Sequence, residues 1–433
     1  MHETINLFWF RRDLRLHDNH GLYEALISGR KVLPVFIFDP DILNGLPADD
    51  LRVNFIWKSL KALNDKLGAH ASAISVFYGR PREVFALLAS RYPISTVFTN
   101  RDYEPSAIRR DAEVELMLSA SGISFRSFKD QVMFEHLEIV KPDGKPYVVF
   151  TPYGRRWLEK LNSEPLIQYN TAPHFHRFLN YDAPEMPEVE DFGFIKRRFD
   201  FPETTLSEEK ITAYAETRNI PGLDSTTRIG LHLRFGTVSV RDCVIAGRKY
   251  SAAWLNELIW REFFMQILAN FPHVESHAFK PEYDRIQWQQ GEEFFDRWRE
   301  GKTGYPLVDA GMRELSETGF MHNRVRMVTA SFLTKHLLTD WRLGEAWFAE
   351  KLLDFELSSN NGNWQWAAGS GCDAAPYFRI FNPSEQARKF DPQAVYIRKW
   401  VPGYGTTAYP RPIVDHTAAR QRCLAAYSAA LRP

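Results

Sequence analysis

Residues 73–100 read AISVFYGRPREVFALLASRYPISTVFTN, and the change of period within this stretch decides the architecture of the first part of the chain. AISVFYG and ISTVFTN are short runs rich in β-branched and aromatic residues, whereas the intervening PREVFALLASRY has helical spacing. Two apolar strands joined through a helix run parallel, because the crossover returns the chain to the edge from which it left. Outward from this unit the pattern repeats. INLFWF at 5–10, KVLPVFIF at 31–38 and ISFRSF at 123–128 supply further strands, and LRVNFIWKSLKALNDKL at 51–67 supplies another amphipathic helix. The expectation is an α/β domain over residues 1–130, a doubly wound parallel sheet with helices on its faces. Such a sheet binds ligands at the carboxyl ends of its strands, yet no G-x-G-x-x-G follows the first strand and no phosphate-loop motif occurs.

Residues 131–205 carry PDGKP, TPYG and PEMPEVE, dotted with proline and weakly periodic, and read as a long interdomain connection. From 206 to 433 the strand pattern gives way to helical spacing, in WLNELIWREFFMQILANF (254–271), FFDRWREG (294–301), MHNRVRMVTASFLTKHLL (321–338) and RQRCLAAYSAAL (420–431). The second domain is therefore expected to be all-helical. Nine of the 12 tryptophans follow residue 250, so any use of aromatic surface belongs to that half. Lys plus Arg equals Asp plus Glu at 54 each, so a nucleic-acid surface would have to be local. Three widely spaced cysteines, Cys243, Cys372 and Cys423, disfavour a disulfide framework and point to a reducing cytoplasm. The N-terminal apolar run is interrupted by Arg11 and Arg12, which argues against a secretory or twin-arginine signal, and no run approaches the roughly 20 apolar residues of a membrane span. A soluble protein without a membrane partner is expected.

Three groups of residues in the helical half could carry chemistry. Glu257, Trp260 and Arg261 stand at i, i+3 and i+4 and share a helix face, as do Asn323, Arg324, Arg326 and Met327 over one turn. Taken singly, each face is equally well a solvated ion pair beside a core aromatic. The third group is SSNNGNWQWAAGSGC, from Ser358 to Cys372, where three asparagines crowd against two tryptophans. The asparagines have the composition of caps and turns, but small residues beside aromatics also suit a flat ligand pressed against the chain. The histidine clusters at 174–176 and 273–277 lack the helical H-E-x-x-H spacing, so no metal is expected, and no G-x-S-x-G nucleophile motif is present.

FWFRRDLRLHDN (8–19), WLNELIWREF (254–263), MHNRVRM (321–327), NNGNWQWAA (360–368) and DAAPYFRIFNP (373–383) occur in an order that resembles the photolyase and cryptochrome family, most closely its class I cyclobutane pyrimidine dimer photolyases, from about residue 5 to 430. The resemblance implies FAD in the helical domain. Asn360 would face the flavin N5 atom, Arg326 and Asp354 would pair over the ring, and Trp254 and Asn323 would line the pocket. Tyr214 would lie near the phosphate or adenine end, and Glu257 and Arg261 would also stand on the cofactor's side. STTRIGLHLRFG (225–236) resembles the family's phosphate-binding turn, with Thr226, Thr227 and Arg228 in place but Gly230 and Leu231 where Ser-Pro is common. Glu356 likewise stands where an Asp is common.

The implied reaction is light-driven repair of DNA, in which excited reduced flavin lends an electron to a flipped-out pyrimidine dimer. Glu257 would hydrogen-bond the dimer's base edge, Trp260 and Trp366 would stack on its bases, and Met327 and Asn323 would pack beside it. Arg261, Arg324 and Arg379 would hold DNA phosphates. Trp364, Trp341 and Trp288 match the family's electron-supplying chain. A 6-4 photolyase would carry histidines where Asn323 and Met327 stand. A cryptochrome photoreceptor is the alternative from another class, one that often carries a long tail beyond a helix such as RQRCLAAYSAAL. The family further implies a monomer and an antenna chromophore, a folate or a deazaflavin, at the domain interface near NRDYEPSAIRRD (100–111).

Overall fold

In the computed structural model, which describes residues 3–181, 184–289 and 291–432, the five expected strands form a single sheet. These are β1 (Ile5–Phe10), β2 (Val32–Phe38), β3 (Ser75–Tyr78), β4 (Ile94–Asn100) and β5 (Ser124–Phe128). Their order is β3-β2-β1-β4-β5 and every neighbouring pair is parallel. β1 and β2 are buried at every position, which is why they read as continuous apolar runs, whereas the edge strands β3 and β5 are partly exposed. The helices that return the chain start where their sequences say they should. Asp50 caps Leu51–Gly68 by accepting from Arg52 N, and Pro81–Arg91 and Pro105–Ala120 each begin on a proline whose missing N–H is no loss in a first turn.

The chain separates into two compact units, and their boundaries differ from a division at 130 and 205. The first comprises the chain to Glu135 with Leu158–Leu206 and Arg228–Ala246; the second comprises His136–Trp157, Ser207–Thr227 and the chain from Gly247. Most of the expected connection is thus packed into the first unit. Leu179 N donates to Val32 O at 2.8 Å, the Trp57 indole N–H to Pro187 O at 3.0 Å, and Ile195 N to Ala48 O at 2.7 Å. Prolines erase periodicity without preventing isolated backbone bonds, so a packed strap and a free connection read alike in sequence. The same region also contains the helix Phe150–Ser163.

The second unit is helical. Ser251 caps Ala252–Asn270, His322 caps Asn323–Ser331 and Asp340 caps Trp341–Lys351, each through a side-chain acceptor. A wide π-type turn, Phe332–His336, follows Asn323–Ser331 directly. Leu357–Ala368 is wedged between two of these helices by glycine. A Cβ on Gly362 would fall 2.1 Å from the Phe264 ring, and one on Gly344 would fall 2.2 Å from the Trp364 ring. Neither approach is open to another residue.

Candidate functional site

The amides that crowd Ser358–Cys372 are neither caps nor turns, because 357–368 is helix and ends only at Gly369, whose φ is 92°. Asn360, Asn361 and Gln365 are satisfied by tertiary partners instead, and Asn363 by the carbonyl one turn back in the same helix. Asn361 donates to Val274 O at 2.8 Å, Asn360 to Glu345 O at 3.0 Å, and Asn363 to Ser359 O at 2.8 Å. Gln365 donates to Val274 O and His277 O and accepts from Phe279 N. Hydrogen bonds to distant backbone are invisible to local propensity, so the helix had no local signature.

One face of this helix borders a pocket of about 600 Å3, open solvent included. Eight of the expected residues line it: Asn323, Arg326, Met327, Asp354, Glu356, Asn360, Trp364 and Trp366. Phe348, Leu352 and Phe355 complete its apolar part. Arg326 Nη2 meets Asp354 Oδ2 at 2.9 Å, and its Nε donates to Met321 O at 2.7 Å. Asp354 Oδ1 and the nearby Ser358 Oγ are sealed from solvent without a hydrogen-bond partner. Orphaned acceptors beside an apolar floor fit a flat, nitrogen-rich ring that brings its own donors. Arg261 Nε binds Glu356 Oε2 at 3.0 Å, both side chains almost wholly buried, so this arginine holds a carboxylate rather than facing outward for a phosphate.

A second set of expected residues surrounds Glu257 and does not line this pocket. Arg218 Nη1 meets Glu257 Oε1 at 2.5 Å; burial pushes the Glu257 carboxyl above its usual value and Arg218 pulls it back. Burial, with the Glu257 charge second, likewise raises the Tyr214 phenol. Trp254 is buried, and Trp260 lies flat on Phe150 at 3.5 Å and 4°. Trp260 thus has one ring face covered by Phe150, and Phe264 stacks near it at 5.6 Å. Arg324 binds Asn219 Oδ1 at 2.6 Å and lies 4.3 Å from the Phe390 ring centre, while Arg379 is exposed. The expected phosphate turn is not gathered with the pocket residues: Thr226 and Thr227 end one segment of the helical unit, and Arg228, left-handed at φ 50°, opens a segment of the other.

Trp364 and Trp341 are buried and Trp288 is partly buried. Through Gly344 the helix that begins at Trp341 presses directly on Trp364, whose ring also meets Phe348 at 4.9 Å and Trp298 at 6.1 Å. Trp288 stands edge-on to Tyr427 at 6.1 Å. Sequence reading missed Arg218, Phe150 and Glu345, whose partners lie 39, 110 and 15 residues away along the chain (110 being 260 − 150). Only the i, i+4 spacing of Trp341 and Glu345 hinted at any of them. No group of three or more metal-ligating side chains occurs among the described residues.

The first unit has a larger pocket, about 1180 Å3 with open solvent, past the carboxyl ends of β2 and β3. Asp39, Asp41, Arg80, Arg82, Arg109 and Arg110 line it, the last two from the stretch 100–111. None of the helices in the described chain is long and apolar enough to cross a membrane.

Comparison with known proteins accounts for both units. Residues 6–173 match the family model described as DNA photolyase, and 254–407 match the FAD binding domain of DNA photolyase. A deoxyribodipyrimidine photo-lyase of Halobacterium salinarum is 35% identical, covering 98% of this chain and 99% of its own. Among solved structures, a bacterial class III photolyase from Agrobacterium tumefaciens has a TM-score of 0.86 at 32% identity, over 99% of this chain and 98% of that one. An archaeal photolyase from Sulfolobus tokodaii, described with two FAD molecules, has a TM-score of 0.83 at 32% identity, over 98% and 100%.

Proposed function

The chain belongs to the DNA photolyase family, and from that premise we propose that it is a deoxyribodipyrimidine photo-lyase that holds FAD in the pocket of its helical unit and splits cyclobutane pyrimidine dimers in damaged DNA under light. The observation that carries the reading is the meeting of Asn323, Arg326, Met327, Asp354, Asn360 and Trp366, drawn from three separate segments, at one pocket with an orphaned carboxylate oxygen. When bound, reduced FAD supplies the photoexcited electron.

The chain's own residues do the rest. The Arg326–Asp354 pair lies along the pocket wall, where Asp354 Oδ1, without a partner in the chain, would accept a ring N–H. Asn360 lines the pocket and is held in place by donating its amide to Glu345 O. Glu257, raised by burial yet tied to Arg218, offers a dimer base edge an acceptor. Trp260, backed by Phe150, and Trp366 at the pocket rim supply flat apolar surface for the flipped bases. Arg324 and Arg379 contribute charge toward DNA phosphate, and Thr226 and Thr227 of the helical unit would offer hydroxyls toward the cofactor's pyrophosphate. Trp364, Trp341 and Trp288 would offer an electron a route from the surface to the resting cofactor. A second, light-harvesting chromophore would occupy the arginine-lined pocket past β2 and β3.

The deciding experiment illuminates the purified, reduced protein with an oligonucleotide containing one dimer. Light-dependent loss of dimers is expected; dimers that persist under light would sink the reading. Glu257→Ala should retain flavin while repair yield falls, by about tenfold for one lost charge-assisted hydrogen bond of ~1.5 kcal/mol. An unchanged yield would remove Glu257 from the site.

A further inference from the structure

Glu345 stands one helical turn after Trp341, on the side of the pocket-lining Asn360 away from the pocket, and no expectation from sequence included it. Its backbone carbonyl accepts the Asn360 amide at 3.0 Å, so the residue that orients Asn360 also carries an acid beside it. Oxygen Oε1 of that acid is sealed from solvent and has no hydrogen-bond partner. Burial, with Glu275 adding to it, holds the carboxyl up at about 7 against the hydrogen bonding of the Asn360 and Asn361 side chains and the Arg342 charge, which draw it down. Arg342 is committed to Asp340 and Asp284, and Lys335, on the wide turn packed against the same helix, is spent on Ala368 O at 2.7 Å. No strong cation is left to fix Glu345 in its charged form.

We propose that Glu345 is the redox-linked proton site of this pocket: its carboxyl takes a proton from water when an electron is delivered by way of Trp364, and returns it when that electron leaves. The proposal rests on the flavin reading above and deepens it. Negative charge added across Asn360 disfavours a neighbouring carboxylate and so raises its hold on a proton. Linkage makes the effect mutual, so the protonated acid strengthens the pocket's hold on the electron by the same factor. The balance is simple. One electron enters from Trp364, the vacancy passes outward through Trp341 and Trp288, and an external thiol fills it. The thiol becomes a thiyl radical and releases its S–H proton to water, and one proton from water adds to Glu345 as an O–H bond, so proton released and proton taken up balance. Glu345 is thus a positioning residue, acting on the pocket through Asn360 and through its own charge.

The test is the reduction potential of the flavin bound to the whole protein, measured against pH on both sides of 7, in wild type and Glu345→Gln. Above pH 7 the reduced-to-oxidised ratio at fixed potential should fall up to tenfold further per pH unit in wild type than in E345Q. Glu345→Asp should restore the difference. Infrared spectra of wild type should gain a protonated-carboxyl band on reduction, a readout needing no variant. Equal pH dependence in wild type and E345Q, or no such band, would overturn the proposal. Protein that binds no flavin would instead overturn the functional reading beneath it.

Discussion

Carboxylates are handled in opposite ways at two places, the Arg15–Arg241 cluster of the first unit and the pocket of the second. In the first, Asp130 accepts from Arg15 at 2.8 and 2.7 Å and from Arg241 at 2.7 Å. Asp18 accepts from Arg241 Nε at 2.7 Å, from Ser239 Oγ and from Tyr169 N at 2.7 Å. All four oxygens are matched. Burial alone would lift Asp130, but Arg15 and Arg241 outweigh it and hold the carboxyl below its usual value. In the second unit, Asp354 keeps one oxygen on Arg326 and leaves the other without a partner, and Glu345 Oε1 is left the same way. A buried acid with both oxygens matched belongs to the scaffold, as Asp309 of the second unit also does; one left half-used is prepared for something the chain does not supply.

That contrast can be broken by exchanging the damage. Arg241→Met leaves Asp18 and Asp130 short of a buried cation and should cost about 3–5 kcal/mol, read as a lower urea midpoint for the first unit with flavin retained in the second. Asp354→Asn should do the reverse. Its pair with Arg326 is only moderately buried and should cost at most ~1 kcal/mol of stability. Losing one charged acceptor worth about 1.5–3 kcal/mol should weaken FAD binding roughly ten- to a hundredfold, measured by flavin fluorescence on titration. If D354N unfolds the protein as readily as R241M does, the distinction between scaffold and site fails.

The sheet was legible because its strands are buried on both faces, and a continuous apolar run such as INLFWF has few other readings. Six of the eight pocket residues were legible through motifs, which carry position along the chain but not partners in space, and Asp354 and Glu356 through the family resemblance alone. What sequence could not give is the counter-group: Arg218 for Glu257, Phe150 for Trp260, Glu345 for Asn360. Arg261 shows the cost. Placed by its motif among phosphate-binding arginines, it is consumed by Glu356, the residue at which the sequence departs from the common aspartate. A longer acid reaches the guanidinium, and neither position alone announces that contact. The strap over 158–206 was unreadable for a different reason, since proline suppresses the periodicity by which packed segments are recognised.

Asp13 sharpens the comparison, because it is fully matched yet lacks the charge complement of Asp130. Its oxygens accept from Arg11 N at 2.7 Å and from the Asn100 amide at 2.6 Å. Burial raises the carboxyl to about 6, Asp130 adds to the rise, and these donors and the Arg11 charge only partly oppose it. A folded value above the unfolded one favours folding while the group is protonated, so this contribution is complete below the unfolded value of 3.8 and is lost as pH rises to about 6. Wild type should therefore lose stability relative to Asp13→Asn across that window, by up to about 3 kcal/mol on the order of 1.4 per unit, and the difference should be flat above it. Urea midpoints of the pair at several pH values measure this directly. A difference that does not change between those limits would mean that hydrogen bonds alone keep a buried acid ionised here, and that matched oxygens rather than opposite charge define the scaffold carboxylates.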